Sequence, residues 1–286
     1  MPSIRLIRRR IRSVENTAKI TKAMEMIAAS KMRRAQQKAL AARPYAERMR
    51  DVLADLAAQS RAEFDLPTLL TPRAETKRVE VLYITPDRGL CGGLTSNLNR
   101  SIASFLLEQS TPVSSVAAGK KGRDFLIRNS RDLRGEFTDL GDNPNILDIA
   151  PMARIVIDDY ASGYVDKVHI VYSQFVSMSV QRPVVSQLLP IQPAEIQQSQ
   201  AVGYIYEPNM GTVLEELLPR FVEMQIFHAL LESIASEQSA RMVAMRNATD
   251  SAMDMKDSLT LALNKARQES ITNELLDIVG GVAALE

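Results

Sequence analysis

The chain has 286 residues, 45% of them hydrophobic and 24% charged, and a formal net charge of +1 at pH 7. That length supports one or two domains with a sizeable core, and no stretch approaches the roughly 20 consecutive apolar residues needed to cross a bilayer. One cysteine, Cys91, excludes an internal disulfide and a cysteine-rich metal site; His169 and His228 stand in no metal-binding pattern, so no cofactor or metal is expected and a reducing, cytoplasmic setting is the natural reading.

Residues 1–60 contain no glycine, and proline only as Pro2 and Pro44. Glycine costs about 1 kcal/mol and proline about 3 kcal/mol in a helix interior relative to alanine, so the segment reads as one long helix, on the order of 80 Å at 1.5 Å per residue. Its basic start lacks the apolar stretch of a secretory signal. The same amphipathic pattern runs on past Glu15, which argues against a mitochondrial presequence. An apolar or small stripe runs Ile4, Ile7, Ile11, Val14, Ala18, Thr21, Ala28, Met32, Ala35, Ala39 and Ala42, broken only at Glu25. Its alanines let a partner helix approach closely. Pro44 leaves open a second arrangement, in which the arm folds back into a bundle.

Residues 1–58 carry fourteen Lys or Arg against five acids. Such a helix raises a nucleic-acid reading through phosphate contacts. No aromatic precedes Tyr45 to stack on bases, and an acidic protein partner explains the charge equally well.

Residues 61–77 read as a linker and 78–208 as a central domain. Val79–Ile84 reads as a buried strand, followed by the loop Thr85–Gly93 and a helical run over Leu94–Leu107. Val113–Ala118 is a second strand, Gly122–Asn129 and Ile146–Tyr160 are helical, and Lys167–Val176 is a strand with Pro183–Pro193 as its hairpin partner. This alternation predicts a Rossmann-like α/β domain. The loop Asp87-Arg88-Gly89-Leu90-Cys91-Gly92-Gly93 and the pair Gly119-Lys120 raise a phosphate-binding hypothesis. Neither fits G-x-G-x-x-G or G-x-x-x-x-G-K-[ST], and tight turns with close packing are the plainer reading. Nothing in sequence positions a base beside Cys91, so it reads as a small buried residue.

Residues 209–286 form the second arm. Residues 212–279 lack glycine and have Pro219 alone. A stripe runs Phe227, Leu231, Ile234, Gln238, Met242, Met245, Ala248, Ala252, Met255, Leu259, Leu263 and Ala266, a period near 3.5 and the pattern of a left-handed coiled coil. Residues 213–286 carry six basic residues against twelve acids, so the two arms attract. The predicted fold is therefore α/β: a long antiparallel coiled coil of the terminal helices plus the central Rossmann-like domain.

Four segments carry a family resemblance. Ile11–Gln36 (beginning Ile-Arg-Ser-Val-Glu-Asn-Thr-Ala-Lys-Ile-Thr-Lys), Asp87–Gly93, Ser236–Thr249 (Ser-Glu-Gln-Ser-Ala-Arg-Met-Val-Ala-Met-Arg-Asn-Ala-Thr) and Asn264–Gly280 resemble the gamma subunit of bacterial F-type ATP synthases, in order and across the chain. Pro86, Leu263 and Val282 depart from the family's usual residues, and the inserted cysteine pair of chloroplast relatives is missing.

The resemblance implies a non-catalytic rotor shaft. Its paired helices would enter a head of alternating alpha and beta subunits, with the central domain on the epsilon subunit and the ring of c subunits. Its membrane association would be indirect, at the cytoplasmic face of the bacterial cell membrane, and no nucleic acid would be bound. By the family pattern Arg267 and Gln268 would meet a beta-subunit loop, with Thr272 and Glu274 nearby, and Lys22 and Met24 would face acidic loops of the head.

Overall fold

A computed structural model describes residues 4–60, 67–192 and 209–283. The first six positions of the expected linker, residues 61–66, and the stretch 193–208, including Pro193, lie outside the described residues. The chain divides into two units, residues 29–241 and residues 1–28 with 242–286.

In the first unit the sheet grows from β1 (Val79–Ile84), whose six residues are all buried. Apart from Glu80, its branched and aromatic side chains suit a strand covered on both faces. Parallel β2 (Val113–Ala118) lies on one side of it and parallel β4 (Lys167–Phe175) on the other. β3 (Asp132–Phe137) forms one edge, and β5 (Gln181–Leu189), antiparallel to β4, forms the other. The order is β3-β2-β1-β4-β5, the arrangement of a doubly wound α/β sheet with a hairpin at one edge.

Helices α2 (Leu94–Glu108) and α3 (Lys120–Arg128) cover one face, burying Leu98, Ile102 and Leu126 against Val81 and Tyr83. Helix α4 (Ile146–Ala161) covers the other with Ile149, Met152 and Val156, against Leu82, Ile84 and Val116. Met49 and Leu53 of the first helix and Leu214, Leu218 and Val222 of the last join this second core.

The predicted strands and helices recur with small shifts. α3 starts two residues before Gly122, and β5 runs from Gln181 rather than Pro183 and stops at Leu189. β3 was not expected. Its sequence, Asp-Leu-Arg-Gly-Glu-Phe, alternates exposed with half-buried residues, as an edge strand can, and its charges hide the strand signal.

The terminal helices are α1 (Ile4–Ser60) and α5 (Met210–Ala283), helical through Pro44 and Pro219. In the second unit they pair antiparallel. The Thr21 and Thr249 hydroxyls meet at 2.7 Å, Arg246 Nε reaches Glu25 Oε1 at 3.0 Å, and Lys256 Nζ lies 4.0 Å from Glu15. Ile7, Ala18, Thr21 and Ala28 of α1 and Met242, Met245 and Ala252 of α5 are buried, on the predicted stripes. Met255 is not: it is 55% exposed. The seam passes instead through half-buried Lys256, whose long stem can cover apolar surface while its ammonium stays wet.

Glu25, read from sequence as an interruption, lies buried on the stripe and bridges the helices. It accepts from Lys22 at 3.0 Å on its own helix and from Arg246 on the other. Those bonds, Lys22 first, hold its carboxyl below the usual carboxylate range against the opposing effect of burial.

Candidate functional site

In a doubly wound sheet, ligands bind beyond the carboxyl ends of the strands where the strand order reverses. Here that point lies between β1 and β4, and it is occupied by α5. Ser173 N donates to Ser233 Oγ (3.3 Å), Ser236 Oγ donates to Ser173 O (2.9 Å), and Ser239 Oγ donates to Met178 O (2.7 Å). On the β1 side Arg241 donates to Gly89 O at 3.2 Å and pairs with Glu237 at 2.6 Å, while Ala240 packs into the cluster holding Tyr83 and Cys91. Burial raises the Glu237 carboxyl, opposed by Arg241. The three serines recur every third residue in the glycine-free stretch 212–279, a signal that was present in the sequence but not used.

The positions weighed for phosphate are filled from within. Asp87 accepts from Lys120 N at 2.9 Å and from Asp139 N at 3.0 Å, so a carboxylate of the chain itself sits at the start of α3. Gly119, at φ 107°, packs so closely that an added Cβ would lie 2.0 Å from Thr85 O. Within Gly89–Gly93 only Gly92 needs glycine's freedom (φ 58°). Leu90 shares that region at φ 64°, whereas a Cβ on Gly89 would meet open space and Gly93 has an ordinary φ of −83°. Arg88 is exposed, and its carbonyl lies 3.9 Å from Cys91 Sγ. Cys91 is buried, with Thr95 Oγ1 at 3.6 Å, and no base stands beside it among the described residues. His169 lies 4.9 Å from the Phe105 ring, its pKa lowered by burial. Among the described residues no group of three or more His, Cys, Asp or Glu could hold a metal ion.

The β3–α4 loop grips both terminal helices. Asp142 accepts from Lys31 of α1 at 2.6 Å and from Gln238 of α5 at 2.9 Å, and Lys38 donates to Pro144 O at 3.3 Å. Sequence reasoning missed this loop, because Asp142 sits in a polar turn with nothing to mark it.

The residues assigned by resemblance fall in the paired-helix unit. Lys22 is exposed and bonded to Glu25, and Met24 is half-buried. Arg267, Gln268, Thr272 and Glu274 are all exposed. Thr272 Oγ1 bonds back to Gln268 O at 2.9 Å, and Ser270 donates to Glu274 at 3.3 Å. Among the described residues the side chains of Arg267 and Gln268 have no hydrogen bond or ion pair. The cross-helix register pairs Glu25 with Arg246 and Glu15 with Lys256. Extended at the same rise, it sets Arg267 opposite Ile4, the first described residue of α1, and carries Thr272 and Glu274 past it. Among the described residues no helix is long and apolar enough to cross a membrane.

An α/β domain whose switch-point crevice is filled by its own helix, in a chain whose ends form an antiparallel helix pair, has the build of a stalk-type subunit. The comparisons specify which. The family described as ATP synthase matches residues 3–285. A gamma chain of ATP synthase from Dehalococcoides mccartyi is 59% identical over 285 residues, covering all of both chains, and one from Roseiflexus castenholzii is 51% identical over 288 residues, covering 100% of this chain and 99% of its own. A chain of the central stalk and c-ring of the Tetrahymena thermophila mitochondrial ATP synthase is 26% identical, with a TM-score of 0.61 over 80% of this chain and 99% of that one. A chain of the Euglena gracilis mitochondrial enzyme, 20% identical with a TM-score of 0.67 over 99% and 94%, shares the fold. The chain belongs to the ATP synthase gamma-chain family, the non-catalytic central-stalk subunits of F-type ATP synthases.

Proposed function

We propose that the chain is a turning shaft: residues 1–60 and 209–286 serve as its paired helices, 61–77 as a connecting segment and 78–208 as its foot. The helices enter a head of alternating alpha and beta subunits, and the foot sits on the epsilon subunit and the ring of c subunits. Proton flow turns ring and shaft together, and the unequal sides of the shaft drive the three beta sites through successive conformations. The subunit is held peripherally, through its partners, at the cytoplasmic face of the bacterial cell membrane.

One observation carries this reading. The paired-helix unit leaves large apolar side chains in water, among them Ile20 at 60%, Met26 at 61%, Leu261 at 72% and Leu276 at 62% exposure. Large apolar side chains left in water at this frequency along one helix pair suit a surface that partner subunits cover. A sleeve of subunits supplies that cover and still allows rotation, because apolar contacts have no directional bond to break.

Arg267 and Gln268 are the side chains we assign to the beta-subunit loop, with Thr272 and Glu274 beside them and Lys22 and Met24 facing acidic loops. Their exposure and, for Arg267 and Gln268, free donors support this. A charge-assisted hydrogen bond is worth about 1.5–3 kcal/mol, enough to matter at each angular position and too little to lock the rotor. Co-expression with alpha and beta subunits tests the shaft reading: the chain is expected to co-purify with both, and its separation from them as a stable monomer would overturn it. Arg267→Ala with Gln268→Ala tests the contact assignment. ATP synthesis and ATP-driven proton pumping should fall more than assembly does, in membranes matched for subunit content by immunoblot. Unchanged activities at equal assembly would remove these residues from the contact.

A further inference from the structure

Glu80 is the second residue of β1, and its side chain is fully buried. Among the described residues neither of its carboxyl oxygens has a hydrogen-bond donor. It lies on the α4 face of the sheet, in step with Leu82 and Ile84. Its cross-strand neighbours are Ser114 of β2, whose Oγ is also buried without a partner, and Val168 of β4. The charged groups that face it are Asp159 from α4 and Arg134 and Asp132 from β3.

Arg134 gives Glu80 little help. Its Nε and Nη2 are both committed to Asp159, at 2.9 and 3.0 Å, and the guanidinium lies 5.0 Å from the ring centre of Tyr164. Asp159 itself is 5% exposed. Two ionised carboxylates in this position would leave one buried negative charge unpaired, at a cost of several kcal/mol. Asp159 offers Glu80 only acceptors, so their contact becomes a hydrogen bond only when Glu80 brings the hydrogen.

We propose that Glu80 and Asp159 form a proton-binding site in the sheet: one proton, resident on Glu80 and donated to Asp159, is held through neutral pH, with Arg134 balancing the single remaining charge. The site is fixed and stoichiometric, and it belongs to the α/β unit alone, so it stands independently of the shaft reading. Burial is the first cause raising Glu80, and the charge of Asp159 the second, together pushing it up to about 8.

The linkage follows in sign. A carboxyl raised in the folded state adds stability that is complete below its unfolded value of 4.5, is lost progressively as the pH rises towards about 8, and changes no further above that. Glu80→Gln keeps the shape, supplies an amide donor to Asp159 and removes the titration.

The test uses the full chain. Infrared spectroscopy of the wild type at about pH 6 is expected to show the carbonyl stretch of a buried protonated carboxylic acid, absent in Glu80→Gln and fading in the wild type as the pH passes about 8. The urea midpoint of Glu80→Gln should match the wild type near pH 4.5 and exceed it by a margin that grows up to about pH 8. Asp159→Asn frees Arg134 for Glu80 and should move the fading of the band to lower pH. A wild type without the band, or a midpoint difference independent of pH, overturns the site. A band that fades at the same pH in Asp159→Asn overturns the sharing with Asp159.

Discussion

The two units of this molecule are held together by different means. In residues 29–241, β1 and the inner residues of α2 and α4 are almost wholly removed from water: Leu82, Ile102, Ile149 and Val156 are all 0% exposed. In residues 1–28 with 242–286, the seam is a narrow stripe of alanine, threonine and methionine, tied by Thr21–Thr249 and Glu25–Arg246, while Ile20, Met26 and Leu261 face outward. The first unit encloses a broad core on both faces of its sheet. The second has a narrow seam and, for its length, more large apolar side chains in water, and this distinction separates a part shaped by its own core from one whose outer surface is its working part.

The sharpest test of that contrast is a pair of truncations. Ile102→Ala is expected to cost about 2–5 kcal/mol in urea unfolding of the isolated chain, as buried truncations do, whereas Leu261→Ala should cost no more than about 0.5 kcal/mol, as surface changes do. Equal losses would break the comparison. Gly119→Ala belongs with the large effects, because a left-handed backbone and a Cβ 2.0 Å from Thr85 O act together. Strain and overpacking of this kind cost about 1–3 kcal/mol each, and soluble yield should drop accordingly.

Of intermediate size is Glu25→Gln. The carboxylate is held low by Lys22 and then Arg246, so its contribution is complete above about pH 4.5 and is lost as the pH falls through its lowered folded value. The variant should be less stable than the wild type at neutral pH and converge with it in acid; a constant difference across that range would remove the ion pairs from the explanation. The smallest expected effect is redox. With Cys91 the sole cysteine, and buried, mild dithiol treatment should leave the activity of the assembled enzyme unchanged as far as this subunit is concerned, and a large activation lost in Cys91→Ala would overturn this.

Where the sequence was legible, a single periodicity dominated. The glycine-free stretches 1–60 and 212–279 are helical wherever the structure describes them, in α1 and α5, and Val79–Ile84 is a strand over its whole predicted length, because each obeys one rule along its length. The reading faltered where two rules compete. β3 is an edge strand carrying Asp132, Arg134 and Glu136, and its charges outweigh its alternation. Met255 follows the heptad by spacing, yet Lys256, paired with Glu15, takes the seam. Glu80 was passed over inside a hydrophobic strand, though an acid in that setting is itself a signal. The clamp of Asp142 on Lys31 and Gln238 joins residues about a hundred positions apart or more, and no local pattern encodes it.

Helix α5 in the crevice between β1 and β4 changes how any diffusible ligand would meet this fold. Ser233, Ser236, Ser239 and Arg241 are joined covalently to the sheet they bind. Their effective concentration at the crevice is set by that tether, and even a short flexible linker gives millimolar values. A nucleotide would compete against an occupant that dilution cannot remove. The crevice of the α/β domain is therefore taken by its own chain, and a diffusible ligand would enter only by outcompeting that tethered occupant.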